Sequence, residues 1–123
     1  MRRQNLEGFT IDQLLHRYVE IGERQYDAWE VGDTAKFSRL FTRMSEMEAE
    51  LRRRGPEARR SLLQLYDHEN LQVRLNAAKS TLAIAPEPAR AELEDIRSLK
   101  WPHLSLDAGM CIRALDEGIF KPI

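Results

Sequence analysis

The stretch from Ala58 to Ala108, ARRSLLQLYDHENLQVRLNAAKSTLAIAPEPARAELEDIRSLKWPHLSLDA, repeats itself weakly at one fixed offset. Ala58 returns as Ala89, Arg59 as Arg90, Leu62 as Leu93, Leu65 as Ile96, Leu75 as Leu106 and Ala77 as Ala108, each pair 31 residues apart. A period of roughly 20 to 50 residues marks stacked supersecondary units, none of which can bury its apolar face alone. The apolar residues return at spacings of three and four and never alternate for long, so the units are helical.

Working outward from the repeat, Asp67 to Asn70 and Ala85 to Pro88 read as breaks between helices. They leave a helix from Pro56 to about Tyr66, another from about Leu71 to Ile84, a third from about Ala89 to Leu99, and a last one from a Ser105 cap to Gly118. Upstream, Thr10 with Gln13 makes a capping box, opening a helix that carries Ile11, Leu14, Leu15, Tyr18, Ile21 and Trp29, with Gly22 a weak point in its middle. Gly32 and Asp33 close that helix and cap the next, where Phe37, Leu40, Phe41, Met44, Met47 and Leu51 form an apolar stripe. Gly55 stops it, and Pro56 restarts the chain with a preset φ. The expected fold is all-α, an α-α superhelix of antiparallel helix pairs with about six helices in one domain over 1–123. An N-terminal pair (10–54) precedes two repeat pairs (56–85 and 86–118), and its stripe is expected to bury against the repeats.

The 123 residues carry 19 basic and 20 acidic side chains, a formal net charge of −1, so no global field draws the chain to nucleic acid or an anionic membrane. The single cysteine, Cys111, allows no internal disulfide framework and no zinc site of its own, which suits a reducing cytoplasm. Arg2 and Arg3 could open a signal peptide, but Gln4, Asn5, Glu7 and Asp12 interrupt the apolar run that should follow. No segment is apolar enough to span a membrane. A cytoplasmic, non-membrane protein is expected.

The run from Asp67 to Ile96 resembles the second helix of a HEAT-type repeat followed by the first helix of the next. The likeness rests on the acidic turn at Asp67, the Val73-Arg74 pair, Ala77 and Ala78, Leu82, the Pro86 and Pro88 turn, and Ala89 with Leu93. With Asp107, Ala108 and the ending from Leu115 to Gly118, the chain is similar to a small bacterial HEAT-like family bearing only a domain-of-unknown-function label. The resemblance covers about half of the chain and speaks of fold more than function. It implies that second helices line a partner-facing surface. On that basis Gln72, Asn76, Lys79 and Ser80, expected at solvent, join Arg113, Asp116 and Glu117 as the candidate protein-binding strip.

Arg74 falls about 100° from Val73 on a helical wheel, among apolar residues. It is therefore expected to point inward as a structural tie to Asp67 or Asp107, while Ala77 and Ala78 set a close helix approach. Arg52, Arg53, Arg54, Arg59 and Arg60 form a basic cluster, and arginine forks suit phosphate. The neighbouring Glu46, Glu48, Glu50 and Glu57, and the lack of interleaved aromatics, disfavour nucleic acid.

His68-Glu69 matches the His-Glu pairs of iron-dependent hydroxylases on HEAT scaffolds, but the counterpart of His68 is Leu99, and His16 and His103 stand at no ligand spacing. No metal, cofactor or catalytic constellation is expected. Cys111, among Met110, Ile112 and Leu115, reads as an inert buried thiol. The functional expectation is a non-catalytic protein-protein interaction module. The alternatives are an antidote protein masking a cognate toxin and a nucleic-acid binder working through the arginines; a two-fold homodimer is left open.

Overall fold

The computed structural model describes residues 3–123. It is all-helical, with α1 (Ile11–Glu30), α2 (Thr34–Arg54), α3 (Pro56–Arg60), a 3-10 segment (Ser61–Asp67), α4 (Leu71–Ser80), α5 (Pro86–Ser98) and α6 (Leu104–Asp116), and no strand among the described residues. The arrangement is compatible with an α-α superhelix.

Local chemistry sets most of the boundaries. The Thr10 hydroxyl accepts from the Gln13 backbone N–H at 3.1 Å while the Gln13 side chain accepts from the Thr10 N–H at 2.9 Å, the reciprocal box read from the sequence. Asp33 caps α2 through the Lys36 N–H at 3.0 Å, and Asn70 caps α4 through the Gln72 and Val73 N–H groups at 3.0 and 3.2 Å. Gly55, at φ +105°, makes the corner that Pro56 follows.

Four boundaries differ from the expectation, each for a local reason. The helix predicted from Pro56 to Tyr66 is α for five residues and 3-10 thereafter; the Ser61 hydroxyl takes up the Ala58 carbonyl where the two meet. The helix predicted to reach Ile84 ends at Ser80, because the Thr81 hydroxyl donates to the Ala77 carbonyl at 2.8 Å and Arg59 donates to the Ser80 carbonyl at 3.0 Å. α5 starts at Pro86, where a missing N–H costs nothing in the first turn. Ser105 is not the cap of α6. That position belongs to His103, and the buried Ser105 hydroxyl accepts from the Trp101 N–H and donates to the Ile96 carbonyl, both at 2.7 Å, pinning the α5–α6 connection.

α4 is the central helix, buried on two sides. Val73 and Ala77 join Leu14, Tyr18, Ile21, Met47 and Leu62 in one core cluster; Leu75 and Ala78 join Leu93, Ile96, Leu104 and Ala108 in another. Gly22 proves to be a contact rather than a weak point. A Cβ there would stand 2.8 Å from Val73 Cγ2 and 3.3 Å from Asn76 Nδ2, so only glycine lets α1 come so close to α4.

The α2 stripe meets the expectation in its second half, where Met44, Met47 and Leu51 share a core cluster with Ala58, Leu62 and Val73, and departs from it at Phe41. Met44, Met47 and Leu51 are buried, whereas Phe41 is 61% exposed. α2 packs chiefly on α1 and next on α3, and its buried cluster residues all lie from Met44 onward. The 31-residue correspondence holds for Ala58, Leu62 and Leu65 against Ala89, Leu93 and Ile96, all buried, and fails at Leu75, whose counterpart Leu106 is 67% exposed. α5 and α6 stack on Leu75; among the described residues nothing stacks beyond α6.

Candidate protein-interaction surface

The α4 part of the expected strip, Gln72, Asn76, Lys79 and Ser80, is mostly covered rather than at solvent. α1 covers that side of α4: Gln72 and Ser80 are buried, Asn76 donates to Gln25 at 2.8 Å and accepts from Gln72 at 2.9 Å, and the Ser80 and Tyr18 hydroxyls share a buried 2.7 Å hydrogen bond. Lys79 reaches across to Asp107 at 2.9 Å. A wheel separates polar from apolar side chains but cannot show that a second helix supplies the polar partners, here Gln25 and Tyr18. Arg113 and Asp116 of α6 and Glu117 just after it are exposed, with Arg113 on Glu117 at 3.1 Å and Asp116 on Arg90 at 2.7 Å. The α4 half of the predicted strip is therefore largely covered, while the half near the end of α6 is open to solvent.

Arg74 does turn inward, but to neither predicted carboxylate. Its Nε and Nη2 donate to Glu92 Oε1 at 2.8 and 2.6 Å, while Asp107 holds Lys79 and Asp67, at the end of the 3-10 segment, is exposed. Glu92 was legible as an anomaly, a carboxylate between Ala89 and Ile96 on the buried face of α5.

The arginine cluster is largely spoken for. Arg53 and Arg54 both grip Glu50, at 2.6 and 2.7 Å, and Arg54 also donates to the Leu6 carbonyl at 2.9 Å. Arg59 donates to the Ser80 and Ile123 carbonyls at 3.0 and 3.1 Å, and Arg60 stands 3.8 Å from Glu57. Arg52 and Arg59 border a cavity of only about 70 Å³, with Glu48 and Lys79. There burial pushes the Glu48 carboxyl up despite Lys79, Arg52 and Arg59.

The Arg53 hydrogen bond is the largest influence on the Glu50 carboxyl and, with the Arg54 hydrogen bond and the charges of both arginines, lowers it to about 2 against the opposing effect of burial. A depressed carboxylate contributes stability that is complete above its unfolded value and lost as pH falls toward the folded one. The Glu50→Gln variant should thus show a flatter loss of stability than the parent from about pH 4.5 down to about 2, followed by circular dichroism at stepped pH. Identical acid limbs would refute the assignment.

His68 accepts the Asn70 N–H at 3.0 Å through Nδ1, a turn contact, and no group of three or more His, Cys, Asp or Glu side chains that could hold a metal occurs among the described residues. Cys111 is buried, and burial raises its thiol pKa.

The feature that sequence reasoning passed over is a groove of about 610 Å³ where α1, the start of α4 and the α5–α6 loop meet. Glu23 and Tyr26 come from α1; Glu69, Asn70, Leu71 and Arg74 come from around the α4 start; Leu99 and Trp101 come from the loop. Trp101 is 46% exposed and Leu99 51%. The loop backbone is nonetheless tightly set, through the Trp101–Ser105–Ile96 hydrogen bonds and positive φ angles at Lys100 (+53°) and His103 (+51°). Such conformations in non-glycine residues cost on the order of 1–3 kcal/mol and cluster at working sites. The Tyr26 phenol is pushed up first by burial and next by Glu30, with the neighbouring Trp101 acting the other way.

One turn along α1 from Tyr26, Trp29 stacks on His103 at 3.9 Å between ring centroids and meets Phe37 edge-on at 6.2 Å, beside an apolar cavity of about 370 Å³. Desolvation lowers the pKa of His103, whose ring nitrogens are buried without a hydrogen-bond partner in the protein. The only sequence signal for the groove was Trp101 itself, a tryptophan in a Lys-Trp-Pro-His turn with no helical face to pack.

The fold and this surface together define an all-helical protein with an aromatic groove between α1, the start of α4 and the α5–α6 loop. By the match of the family model over residues 12–116, the chain belongs to the domain family of unknown function DUF2019. That match takes in α1 and α2 as well as the repeat region. The chain is also similar to the protein RPA1889 from Rhodopseudomonas palustris CGA009, seen in a crystal structure, at 42% identity and a TM-score of 0.95, over 98% of this chain and 100% of that one. The curated proteins contain no match. No helix among the described residues is long and apolar enough to cross a membrane.

Proposed function

We propose that this chain is a non-catalytic protein-interaction module, HEAT-like in architecture and cytoplasmic, that holds its partner in the Trp101 groove. The observation carrying this reading is a large half-apolar groove into which a rigidly set loop presents Trp101 and Leu99 to solvent. Half-exposed aromatics on a fixed backbone lose little conformational freedom on binding and are the residues on which interface energy concentrates. Nucleic acid is a poorer fit, since Arg53, Arg54 and Arg59 already serve protein carboxylates and carbonyls.

The test is Trp101→Ala in affinity capture from the source organism. Partner affinity should fall about 30-fold or more, as for the loss of a central aromatic anchor. The thermal midpoint should correspond to a change below about 1 kcal/mol, because the ring is half in solvent. Full retention of the partner by the variant would displace the groove as the binding surface.

A further inference from the structure

The charge distribution of the groove narrows the class of partner. Glu23 from α1 and Glu69 from the turn before α4 both line it, both are exposed, and among the described residues neither is in an ion pair. The cation lining the same cavity, Arg74, has two of its donors on Glu92 at 2.6 and 2.8 Å, so its charge is already met by a carboxylate. The other charged and aromatic groups lining the groove are two carboxylates outside any ion pair, the indole of Trp101 and the phenol ring of Tyr26. Aromatic faces carry negative potential and attract a guanidinium or ammonium, and flanking carboxylates strengthen the preference.

We infer that the Trp101 groove takes a cationic side chain, arginine or lysine, presented by a basic segment of a partner protein. The inference rests on the interaction-module reading above and deepens it. The methylene stem of such a side chain would lie along Leu71 and Leu99, and its charged head would meet the aromatic faces and the carboxylates. Acidic segments and phosphates would face Glu23 and Glu69 uncompensated, and are rejected by the same charges.

The full ¹⁵N-labelled chain can be titrated with a short Gly-Arg alternating peptide and with its Gly-Glu counterpart. The Trp101 indole cross-peak is identified by its loss in Trp101→Phe. The arginine peptide should shift that cross-peak saturably, along with the amides around Glu23 and Glu69, and the glutamate peptide should not. Affinity should drop about tenfold in the Glu23→Gln/Glu69→Gln double variant and fall with added salt. Both positions are exposed, so the double variant should melt as the parent does, which a thermal scan verifies.

Shifts spread over the whole surface without saturation, no response at Trp101, or unchanged affinity in the double variant would each overturn the inference. Failure of the broader reading looks different. If partner capture is lost in Trp101→Ala but unaffected in the double glutamine variant, the groove binds protein and the cationic preference is wrong. If capture survives both, the groove is not the interface.

Discussion

Arg74→Leu should lose about 2–3 kcal/mol of folding stability, less than the roughly 3–5 kcal/mol for breaking a fully buried ion pair, because the arginine side chain is 23% exposed at the groove while its carboxylate partner is buried. Glu92 is 8% exposed and Arg74 supplies two donors to one of its oxygens, at 2.6 and 2.8 Å. With leucine at 74 the carboxylate stays in the α4–α5 interface and loses both. Truncating both ends, as in Arg74→Leu/Glu92→Leu, should recover most of the loss, because a buried pair replaced by apolar side chains of similar volume is often neutral or better. Urea denaturation of the parent, both single variants and the double would measure the coupling. A single variant within about 1 kcal/mol of the parent would show that water reaches Glu92 and that the pair is no more than a surface bridge. The trade of Asp67 and Asp107 for Glu92 thus has a thermodynamic consequence: the tie joins consecutive helices of the array through its buried seam, not through a loop.

The second large effect lies at Gly22. On helix propensity alone Gly22→Ala should stabilise α1 by about 1 kcal/mol. The structure reverses the sign. The new Cβ would lie 2.8 Å from Val73 Cγ2, a β-branched side chain with no spare rotamer in a helix, so α1 must move off α4. Gly22→Ala should therefore cost about 1–3 kcal/mol and Gly22→Leu more, as overpacking does. The second-site change Val73→Ala should cost less in the Gly22→Ala background than in the parent, because it opens room for the new methyl. Thermal melts of the four proteins give the cycle. A stabilised Gly22→Ala would mean that α1 and α4 do not meet there.

The two predictions mark where sequence legibility stops. Capping chemistry was readable because it is local: Thr10 with Gln13, Asp33 with Lys36, and the Gly55-Pro56 corner involve residues within a turn of each other. The packing face of the first helix of each unit was readable because Ala58, Leu62 and Leu65 recur as Ala89, Leu93 and Ile96. The polar side of α4 was misread for the opposite reason. Gln72, Asn76 and Ser80 look like a solvated face until Gln25 and Tyr18, about 50 to 60 residues upstream, arrive to satisfy them. In the same way Ser105 looked like a cap and became a buried tie, because its acceptor, the Ile96 carbonyl, comes from the preceding helix.

The candidate groove shows the same division. Its residues come from α1, from the start of α4 and from the α5–α6 loop, and no spacing rule joins Glu23 to Glu69 or Trp101. The sequence by itself determined the helical class, the caps at Thr10 and Asp33, the Gly55-Pro56 corner and the repeat spacing, because helices are decided by interactions across three or four residues and the repeat by similarity at a fixed offset. Only the tertiary structure decided which polar residues are buried, which carboxylate answers Arg74 and where an aromatic is left facing water. Those outcomes depend on pairing between helices far apart in the chain, where each side chain's partner is set by packing rather than by sequence distance.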